Sequence, residues 1–181
     1  MQPQIVAFDI ETTNLRGNFG RILCASFLNI YNGNPIVLRG DSKYYIGKKK
    51  SDDSKILLEI KKRLERAWMW VTWNGKCFDI PFVNGRLSLI GVPPIEKRLH
   101  LDLMWYASDN TIKFGSKRLA NIAESFKLRE QKFSLEKQEW IDAILLDRQA
   151  MNSLVRHNIQ DVKVLQEVFP ILAPFICNIH K

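Results

Sequence analysis

The strongest constraint on this chain is a pair of carboxylates inside an otherwise apolar segment, residues 5–13, which reads Ile-Val-Ala-Phe-Asp-Ile-Glu-Thr-Thr. The apolar run predicts a buried strand, and Asp9 and Glu11 lie two positions apart in it. Because side chains alternate between the two faces of a strand, both carboxylates project to the same side. A buried carboxylate is costly unless a cation meets it. The pair therefore indicates a site for hard divalent cations, although on most strands such a pair is simply solvated.

Hydrophobic periodicity and turn residues divide the chain into strands first, and then into alternating strands and helices. The predicted strands are 5–10, 21–30, 36–38, 68–73 and 99–106, and the predicted helices are 54–67, 81–90, 119–126 and 151–169. The first three strands read as an antiparallel meander, and the later strands alternate with helices as in parallel sheets. We expect an α/β fold with a mixed central β-sheet flanked by helices, as a single domain over residues 1–181.

The charge balance favours a polyanionic partner. The chain has 27 Lys and Arg residues against 19 Asp and Glu residues, a formal net charge of +8. Nucleic acid is the most plausible partner, and solubility is the simpler alternative explanation. The triplet Lys48-Lys49-Lys50 is interpreted as a solvated loop, with a phosphate-binding loop as the alternative. A basic chain that also clusters acids is typical of a metal-dependent nuclease.

The three cysteines argue against a structural zinc site and for a reducing compartment. Cys24, Cys77 and Cys177 form no C-x-x-C pair, which excludes the usual zinc-binding patterns. No charged-then-apolar leader opens the chain, and no apolar run approaches the ~18 residues that a membrane helix needs. We therefore expect a cytoplasmic protein without a membrane partner.

Two later acids, Asp79 and Asp161, stand in contexts that suggest the same chemistry. Asp79 lies just before Pro81, where a predicted helix begins, so it is either the N-cap of that helix or a carboxylate held beside a nucleotide-binding turn. Asp161 lies on the otherwise apolar face of the last predicted helix, where an acid needs a partner. His157 lies one turn earlier, and the pair is either a buried hydrogen bond or part of a cation site. The positions of this face are Leu154, Asn158, Asp161, Leu165 and Val168.

Taken in order, the four acids resemble the DEDD superfamily of 3′–5′ exonucleases, also called DnaQ-like, which has a ribonuclease H-like fold. Residues 8–13 (Phe-Asp-Ile-Glu-Thr-Thr) match the first motif of that family. Residues 74–82 (Asn-Gly-Lys-Cys-Phe-Asp-Ile-Pro-Phe) resemble its second motif, in the form found in family B DNA polymerase proofreading domains and in stand-alone relatives. Residues 157–161 (His-Asn-Ile-Gln-Asp) resemble its third motif, and the resemblance covers most of the chain.

The resemblance implies a set of metal ligands and a role for each neighbouring side chain. The implied ligands of two Mg²⁺ or Mn²⁺ ions are Asp9, Glu11, Asp79 and Asp161. By the same resemblance His157 is the general base that takes a proton from the attacking water. Thr12, Asn74 and Phe78 are implied to position the terminal nucleotide, and the products are nucleoside 5′-monophosphates. Asp102 is a further candidate for supporting the site, with an ordinary strand-end aspartate as the alternative.

The third motif departs from the family pattern at one position. One branch of the family has tyrosine four residues before the last aspartate, and the other has histidine five residues before it. Here His157 has the residue type of one branch and the spacing of the other. One residue rotates a helical side chain by ~100°, so the position of this imidazole is a point that the structure has to decide.

The predicted function is a metal-dependent 3′–5′ exonuclease acting on single-stranded DNA ends. One alternative is a 3′–5′ exoribonuclease, because discrimination between DNA and RNA depends on contacts to the sugar 2′-OH. The other alternative is a non-catalytic nucleic-acid-binding domain on the same fold. A binding domain has no need to cluster acids against phosphate, which favours the enzyme. A chain of 181 residues has no room for polymerase motifs, so a polymerase or a helicase is expected only as a partner.

Overall fold

The protein folds around one mixed β-sheet, and the computed structural model describes residues 4–47, 49, 52–107, 111–130, 134–177 and 179. The strands are β1 (Ile5–Thr12), β2 (Ile22–Asn29), β3 (Ile36–Arg39), β4 (Met69–Thr72) and β5 (Leu99–Asp102). The helices are α1 (Ser54–Arg66), α2 (Asp79–Leu89), α3 (Leu119–Ser125), α4 (Lys137–Ile144) and α5 (Arg148–Leu172). Short 3₁₀ turns, Leu103–Trp105 and Ala173–Phe175, follow β5 and α5. None of the described helices combines the length and the apolar character that crossing a membrane requires.

The order of the strands in the sheet is β3-β2-β1-β4-β5. The pairs β1–β2 and β2–β3 are antiparallel, whereas β1–β4 and β4–β5 are parallel. This arrangement is the predicted meander followed by parallel strands, and it confirms the α/β class with a mixed central sheet. The pairing of β1 with β4 covers only residues 5–7, so the second half of β1 is free of β4 on that side.

Two hydrophobic clusters, one on each face of the sheet, position the helices. One cluster packs Phe8 and Ile10 of β1 against α1 and α2. The other packs Ile5 and Ala7 against α3 and α5. Full burial of a leucine, isoleucine, valine or phenylalanine side chain contributes about 1.5–3 kcal/mol. Helix α5 buries several such side chains in this second cluster, so it is held firmly across the sheet. Because side chains alternate along a strand, Asp9 and Glu11 lie on the face that α5 covers.

Helix α5 is longer at both ends than the predicted helix 151–169. It begins at Arg148, because the side chain of Asp147 accepts hydrogen bonds from two backbone N–H groups of the first turn. It continues through Pro170 to Leu172. A proline removes only one hydrogen-bond donor, and the complete burial of Leu172 keeps the last turn packed on the core. The predicted end of this helix at residue 169, directly before Pro170, is therefore wrong.

Two further differences concern short elements. The predicted strand 99–106 ends at Asp102, whose carboxylate accepts a hydrogen bond from the Met104 backbone N–H at 3.2 Å and begins a 3₁₀ turn. Helix α4 is not predicted, because its eight residues are too short for a helical pattern to stand out. Of the predicted lysine loop only Lys49 lies within the described residues, so the interpretation of Lys48 and Lys50 lies outside them.

Candidate active site

Strand β1 and helix α5 bring acids that are 150 residues apart in the chain to one place. The amide Nδ2 of Asn158 donates a hydrogen bond to Asp9 Oδ2 at 2.6 Å. The preceding residue of α5 is His157, and its Nε2 atom lies 3.8 Å from Glu11 Oε1 and 4.0 Å from Oδ2 of Asp161, one helical turn later. The predicted face of α5 is buried as expected, with Asp161 only 5% exposed. The structure therefore brings together Asp9, Glu11, His157 and Asp161.

Asp79 joins the same group from the start of α2. It is not an N-cap, because it is the first residue of the helix and its Oδ1 accepts the Ile10 backbone N–H at 3.0 Å. Ile10 lies beyond residues 5–7, the part of β1 that pairs with β4. The Asp79 carboxylate therefore provides the acceptor that a neighbouring strand would otherwise provide. Burial is the largest cause that raises the pKa of the Asp79 carboxyl, and the negative charges of Asp102 and Asp161 add to it. Against the lowering effect of the backbone N–H groups of Ile10 and Asp79, the resulting pKa is about 7.

Replacement of Asp79 by asparagine is expected to raise the melting temperature of the metal-free protein at pH 8 and to change it much less at pH 5. The folded-state pKa of about 7 lies above the ordinary value of 3.8, so the folded protein binds this proton more tightly than the unfolded chain. The unfolding free energy of the wild type therefore falls as the pH rises from 3.8 to about 7. Asparagine removes this titration and still accepts the Ile10 N–H.

The measurement is a series of thermal melts in EDTA between pH 5 and pH 8. If the melting temperature of Asp79→Asn exceeds that of the wild type by more at higher pH, ionisation of the buried Asp79 carboxyl costs stability. An equal difference at both ends of the range contradicts it.

The turn after β4 presents Asn74 to this site and is fixed by Asp102. Asn74 has a φ of 65°, in the left-handed region, and its backbone N–H donates to Asp102 Oδ1 at 2.8 Å. The Lys76 backbone N–H donates to Asp102 Oδ2 at 3.0 Å. A Cβ at Gly75 would come within 2.5 Å of the Thr72 side chain, so only glycine fits between these residues. Asp102 thus holds the turn of the second motif. Burial raises the pKa of its carboxyl, against the hydrogen bonds that it accepts.

Two clefts open on either side of the acids. The larger one, of ≈ 580 Å³, is lined by Asp9, Asp161, Trp73, Asn74, Lys117 and Arg118. The smaller one, of ≈ 260 Å³, is lined by Glu11, Thr12, Asn14, Phe78, Trp140 and Ile144. The three residues predicted to position a nucleotide are therefore divided, with Asn74 on one side and Thr12 and Phe78 on the other. The Thr12 hydroxyl donates to the Asn14 carbonyl at 2.8 Å, and the Phe78 ring lies 5.7 Å from that of Phe82.

Side chains that no sequence motif marked also line these clefts, among them Lys117, Arg118 and Trp140. Lys117 and Arg118 bring positive charge into the larger cleft, and the Trp73 indole N–H fixes their segment by donating to the Lys117 carbonyl at 2.9 Å. Trp140 enters the smaller cleft from α4. A usable signal for α4 is Glu139, whose side chain accepts the Glu136 backbone N–H at 3.1 Å, as a residue at the third helical position commonly does.

The donor set fits hard divalent cations. One ligand atom each from Glu11, His157 and Asp161 lies within 4.8 Å of the others, and Asp9 is held beside them by Asn158. Carboxylate oxygens are the ligands that Mg²⁺ and Mn²⁺ prefer. Burial, and to a smaller extent the charges of Asp102 and Asp161, raise the pKa of Asp79, so the ionised carboxylate is held here at a cost that a bound cation offsets. The site can therefore bind divalent metal, and its oxygen ligands do not distinguish Mg²⁺ from Mn²⁺.

Comparison with known proteins agrees with this geometry. A family model described as the RNase H superfamily matches residues 6–173. The chain belongs to the RNase H superfamily. This membership, with the similarities below, confirms the predicted ribonuclease H-like fold of the DEDD exonuclease type. It also supports a nuclease-type hydrolase that uses divalent metal and acts on nucleic acid.

The relatives of this RNase H superfamily protein include much longer proteins. DNA polymerase 1 of Aeropyrum pernix is 26% identical over 143 residues, which cover 68% of this chain and 14% of that protein. The structure of the family B DNA polymerase from the archaeon Pyrobaculum calidifontis superposes with a TM-score of 0.72 at 19% identity. That superposition covers 96% of this chain and 25% of the polymerase chain, and it shows a common fold.

Proposed function

We propose that this protein is a metal-dependent 3′–5′ exonuclease that hydrolyses phosphodiester bonds at single-stranded DNA ends and releases nucleoside 5′-monophosphates. The observation that carries the proposal is the convergence of four acids from β1, α2 and α5 between two open clefts. Such a cluster repels phosphate unless cations stand between them, so binding of nucleic acid alone does not account for it. The similarity to a protein named as a DNA polymerase supports DNA over RNA as the substrate.

Four carboxylates, those of Asp9, Glu11, Asp79 and Asp161, would hold two Mg²⁺ or Mn²⁺ ions. Bound there, the ions would supply an activated water and would offset the negative charge that develops on the phosphate and on the leaving 3′ oxygen. The protein's own contribution is to hold the carboxylates in place. Asn158 orients Asp9, and the Ile10 N–H orients Asp79.

His157 is the proposed general base. Its Nε2 atom lies within 4.0 Å of two proposed metal ligands, Glu11 and Asp161, so a water bound among these groups is within its reach. Replacement of His157 by alanine is expected to lower kcat by roughly 10²–10⁴-fold, which is the usual contribution of general acid–base catalysis. The check is steady-state kinetics at saturating Mn²⁺ with a labelled oligonucleotide.

The control for this variant is the rate at high pH, where hydroxide replaces the missing base and the deficit should shrink. A variant with wild-type kcat at every pH contradicts a role for His157 in proton transfer. If kcat falls as far as in variants that lack Asp9 or Asp161, His157 is positioned to take the proton as efficiently as a general base can.

The charges of the clefts indicate the path of the bound DNA strand. Lys117 and Arg118 line the larger cleft and would contact backbone phosphates, in keeping with the net charge of +8. Asn74 on that side, and Thr12 and Phe78 on the other, would contact the terminal nucleotide. A polymerase or helicase partner, a single domain over residues 1–181 and a cytoplasmic location stay predictions.

The test of the proposed function compares DNA and RNA strands of equal sequence, labelled either at the 5′ or at the 3′ end, in Mn²⁺. The expected result is immediate release of label as a mononucleotide from 3′-labelled DNA, with slower action on RNA. Faster release from RNA identifies an exoribonuclease. Binding of both strands without cleavage identifies a non-catalytic domain, and either outcome overturns the proposal.

A further inference from the structure

A groove opens at the end of the sheet opposite the acids, between the last turn of α1 and strand β3. Its volume is ≈ 380 Å³, and Val6, Phe27 and Ile36 give it an apolar lining from β1, β2 and β3. Val6 precedes Glu11 by five positions, which is about 17 Å along the strand. Val6 also lies on the face of the sheet that α1 and α2 cover, whereas α5 covers the acids. The groove is therefore separate from the candidate active site.

Packing within the fold leaves part of this apolar lining open. The Ile36 side chain is 49% exposed, and it belongs to none of the hydrophobic clusters formed by the described residues. Beside it Phe27 is buried, and the guanidinium carbon of Arg63 lies 5.8 Å from the centre of the Phe27 ring. A half-exposed isoleucine inside a groove offers contact surface to an apolar group of another molecule.

The wall that α1 contributes to the groove carries positive charge. Arg63 and Arg66 line this wall, and no Asp or Glu among the described residues lines the groove. Arg63 Nε lies 2.8 Å from Oε1 of Glu59, one turn earlier in the helix, so part of the arginine charge is balanced. Arg66 is exposed, and no carboxylate of the described part of the chain forms an ion pair with it. The groove therefore combines an apolar floor with a net positive wall.

This combination favours a protein segment over nucleic acid as the occupant. A nucleic-acid strand is held by a row of cations along its phosphates, and the described lining contains two arginines and no lysine. Arginine beside aromatic and aliphatic side chains is typical of protein interfaces, where a few anchor side chains provide most of the binding free energy. The positive wall selects a segment of the opposite charge.

We propose that this groove binds an acidic segment of a partner protein. An apolar side chain of that segment packs against Phe27 and Ile36, and one of its carboxylates pairs with Arg66. The inference goes beyond the nuclease activity, because the groove and the acids lie at opposite ends of the strands. A partner bound there leaves both clefts open, so the protein can be tethered while it acts on a strand end.

The experiment measures the binding of fluorescein-labelled peptides to the full chain by fluorescence anisotropy. The probe peptides carry an apolar pair, Leu-Phe or Ile-Trp, between flanks of Glu and Asp. One comparison set replaces the apolar pair by Ser-Gly, and the other replaces the acids by their amides. The acidic peptides with an apolar pair should bind, and both comparison sets should bind at least about tenfold more weakly, a difference of roughly 1.4 kcal/mol. Binding of the Ser-Gly set with equal affinity, or no binding of any probe peptide, overturns the proposal.

Variants locate the binding surface. Arg66→Glu and Ile36→Ser should each weaken peptide binding about tenfold or more, because each removes one of the two kinds of contact. The matched controls are Lys62→Glu and Leu58→Ser, the same kinds of change at exposed positions of α1 outside the groove. Both controls should bind the peptides like the wild type. All four variants should keep the wild-type melting temperature and the wild-type rate of DNA hydrolysis.

Two results with these variants would contradict the proposal. An equal loss of peptide binding in Arg66→Glu and Lys62→Glu shows that the peptide follows only the net charge of the protein. If Arg66→Glu instead weakens the binding of single-stranded DNA in EDTA and leaves peptide binding unchanged, the groove is a nucleic-acid surface. The rate of DNA hydrolysis is a separate readout, so neither result decides the proposed function.

Discussion

Replacement of Asp161 by asparagine is expected to lower the rate of DNA hydrolysis by at least about 10³-fold with little change in the melting temperature. The side chain is 5% exposed, and asparagine has the same shape, so the packing of α5 is preserved. The variant loses a negative charge at the proposed metal site, which is worth several kcal/mol of transition-state stabilisation in metal-assisted hydrolysis. It also removes one of the charges that raise the pKa of Asp79, so the metal-free fold is not weakened by repulsion.

The measurement is the initial rate on single-stranded DNA in Mn²⁺, with the melting temperature of each variant as the check on folding. Asp9→Asn should behave in the same way, because asparagine can still accept the hydrogen bond from Asn158. The matched control is Asp142→Asn in α4, an acid that accepts a hydrogen bond from Gln138 and lies outside both clefts. Activity of Asp161→Asn within tenfold of the wild type contradicts the assignment of this acid to the site.

Replacement of Asp53 by alanine is expected to destabilise the protein by about 3–5 kcal/mol, which lowers the melting temperature by roughly 6–20 °C. Asp53 is 3% exposed, and its Oδ2 accepts hydrogen bonds from the Ile22 N–H at 2.9 Å and from Arg86 Nε at 3.1 Å. A second guanidinium nitrogen of Arg86 pairs with Oδ1. Alanine leaves a largely buried arginine and a buried backbone N–H without their acceptor.

The control is an exposed ion pair of the same kind. Lys163 and Glu130 lie 2.9 Å apart with side chains 38% and 30% exposed, so Glu130→Gln should change stability by less than ~1 kcal/mol. Chemical denaturation of both variants measures the difference. A loss below 1 kcal/mol for Asp53→Ala would show that the buried pair contributes no more than a surface one.

The buried Asp53–Arg86 pair also bears on the site. Arg86 Nη1 donates to the Gly17 carbonyl at 3.3 Å, in the loop between β1 and β2. That loop follows Glu11 and Thr12, and it carries Asn14 into the smaller cleft. The pair therefore fixes the segment that borders the smaller cleft, and Asp53→Ala is expected to raise KM even below its melting temperature.

The convergence of the acids follows from local rules that the sequence displays. Strand alternation places Asp9 and Glu11 on one face, and helical periodicity places Asp161 on the buried face of α5. The meander and the parallel strands follow from the order of the elements. These patterns are local, so they can be recognised in the sequence without knowledge of the tertiary contacts.

The supporting contacts depend on pairs far apart in the chain, which no local pattern encodes. Asp53 occupies the N-cap position of α1, yet its side chain caps nothing there and turns to Arg86 instead. Arg21 reaches the carbonyl of Ile144, 123 positions later. Asp79 precedes a proline as a cap would, but it accepts the N–H of Ile10 on β1. In each case a tertiary partner outcompetes the local role that the residue type favours.

The position of the His157 side chain depends on tertiary packing and not on its spacing in the sequence alone. A shift of one residue rotates a helical side chain by ~100°, so the spacing of four left the position of the imidazole open. In the structure Nε2 lies 3.8 Å from Glu11 Oε1, because α5 crosses β1 with Asn158 against Asp9. The crossing of the helix over the strand, and not the spacing alone, brings this side chain to the acids.

The most direct test of the central claim is a gel assay of 5′-labelled single-stranded DNA with Mg²⁺, Mn²⁺ or EDTA, run beside the Asp161→Asn variant. The account predicts a ladder that shortens from the 3′ end in either metal, no shortening in EDTA, and no shortening by the variant. Shortening of the DNA in EDTA, or shortening by the variant at the wild-type rate, would contradict hydrolysis at a metal site formed by these acids.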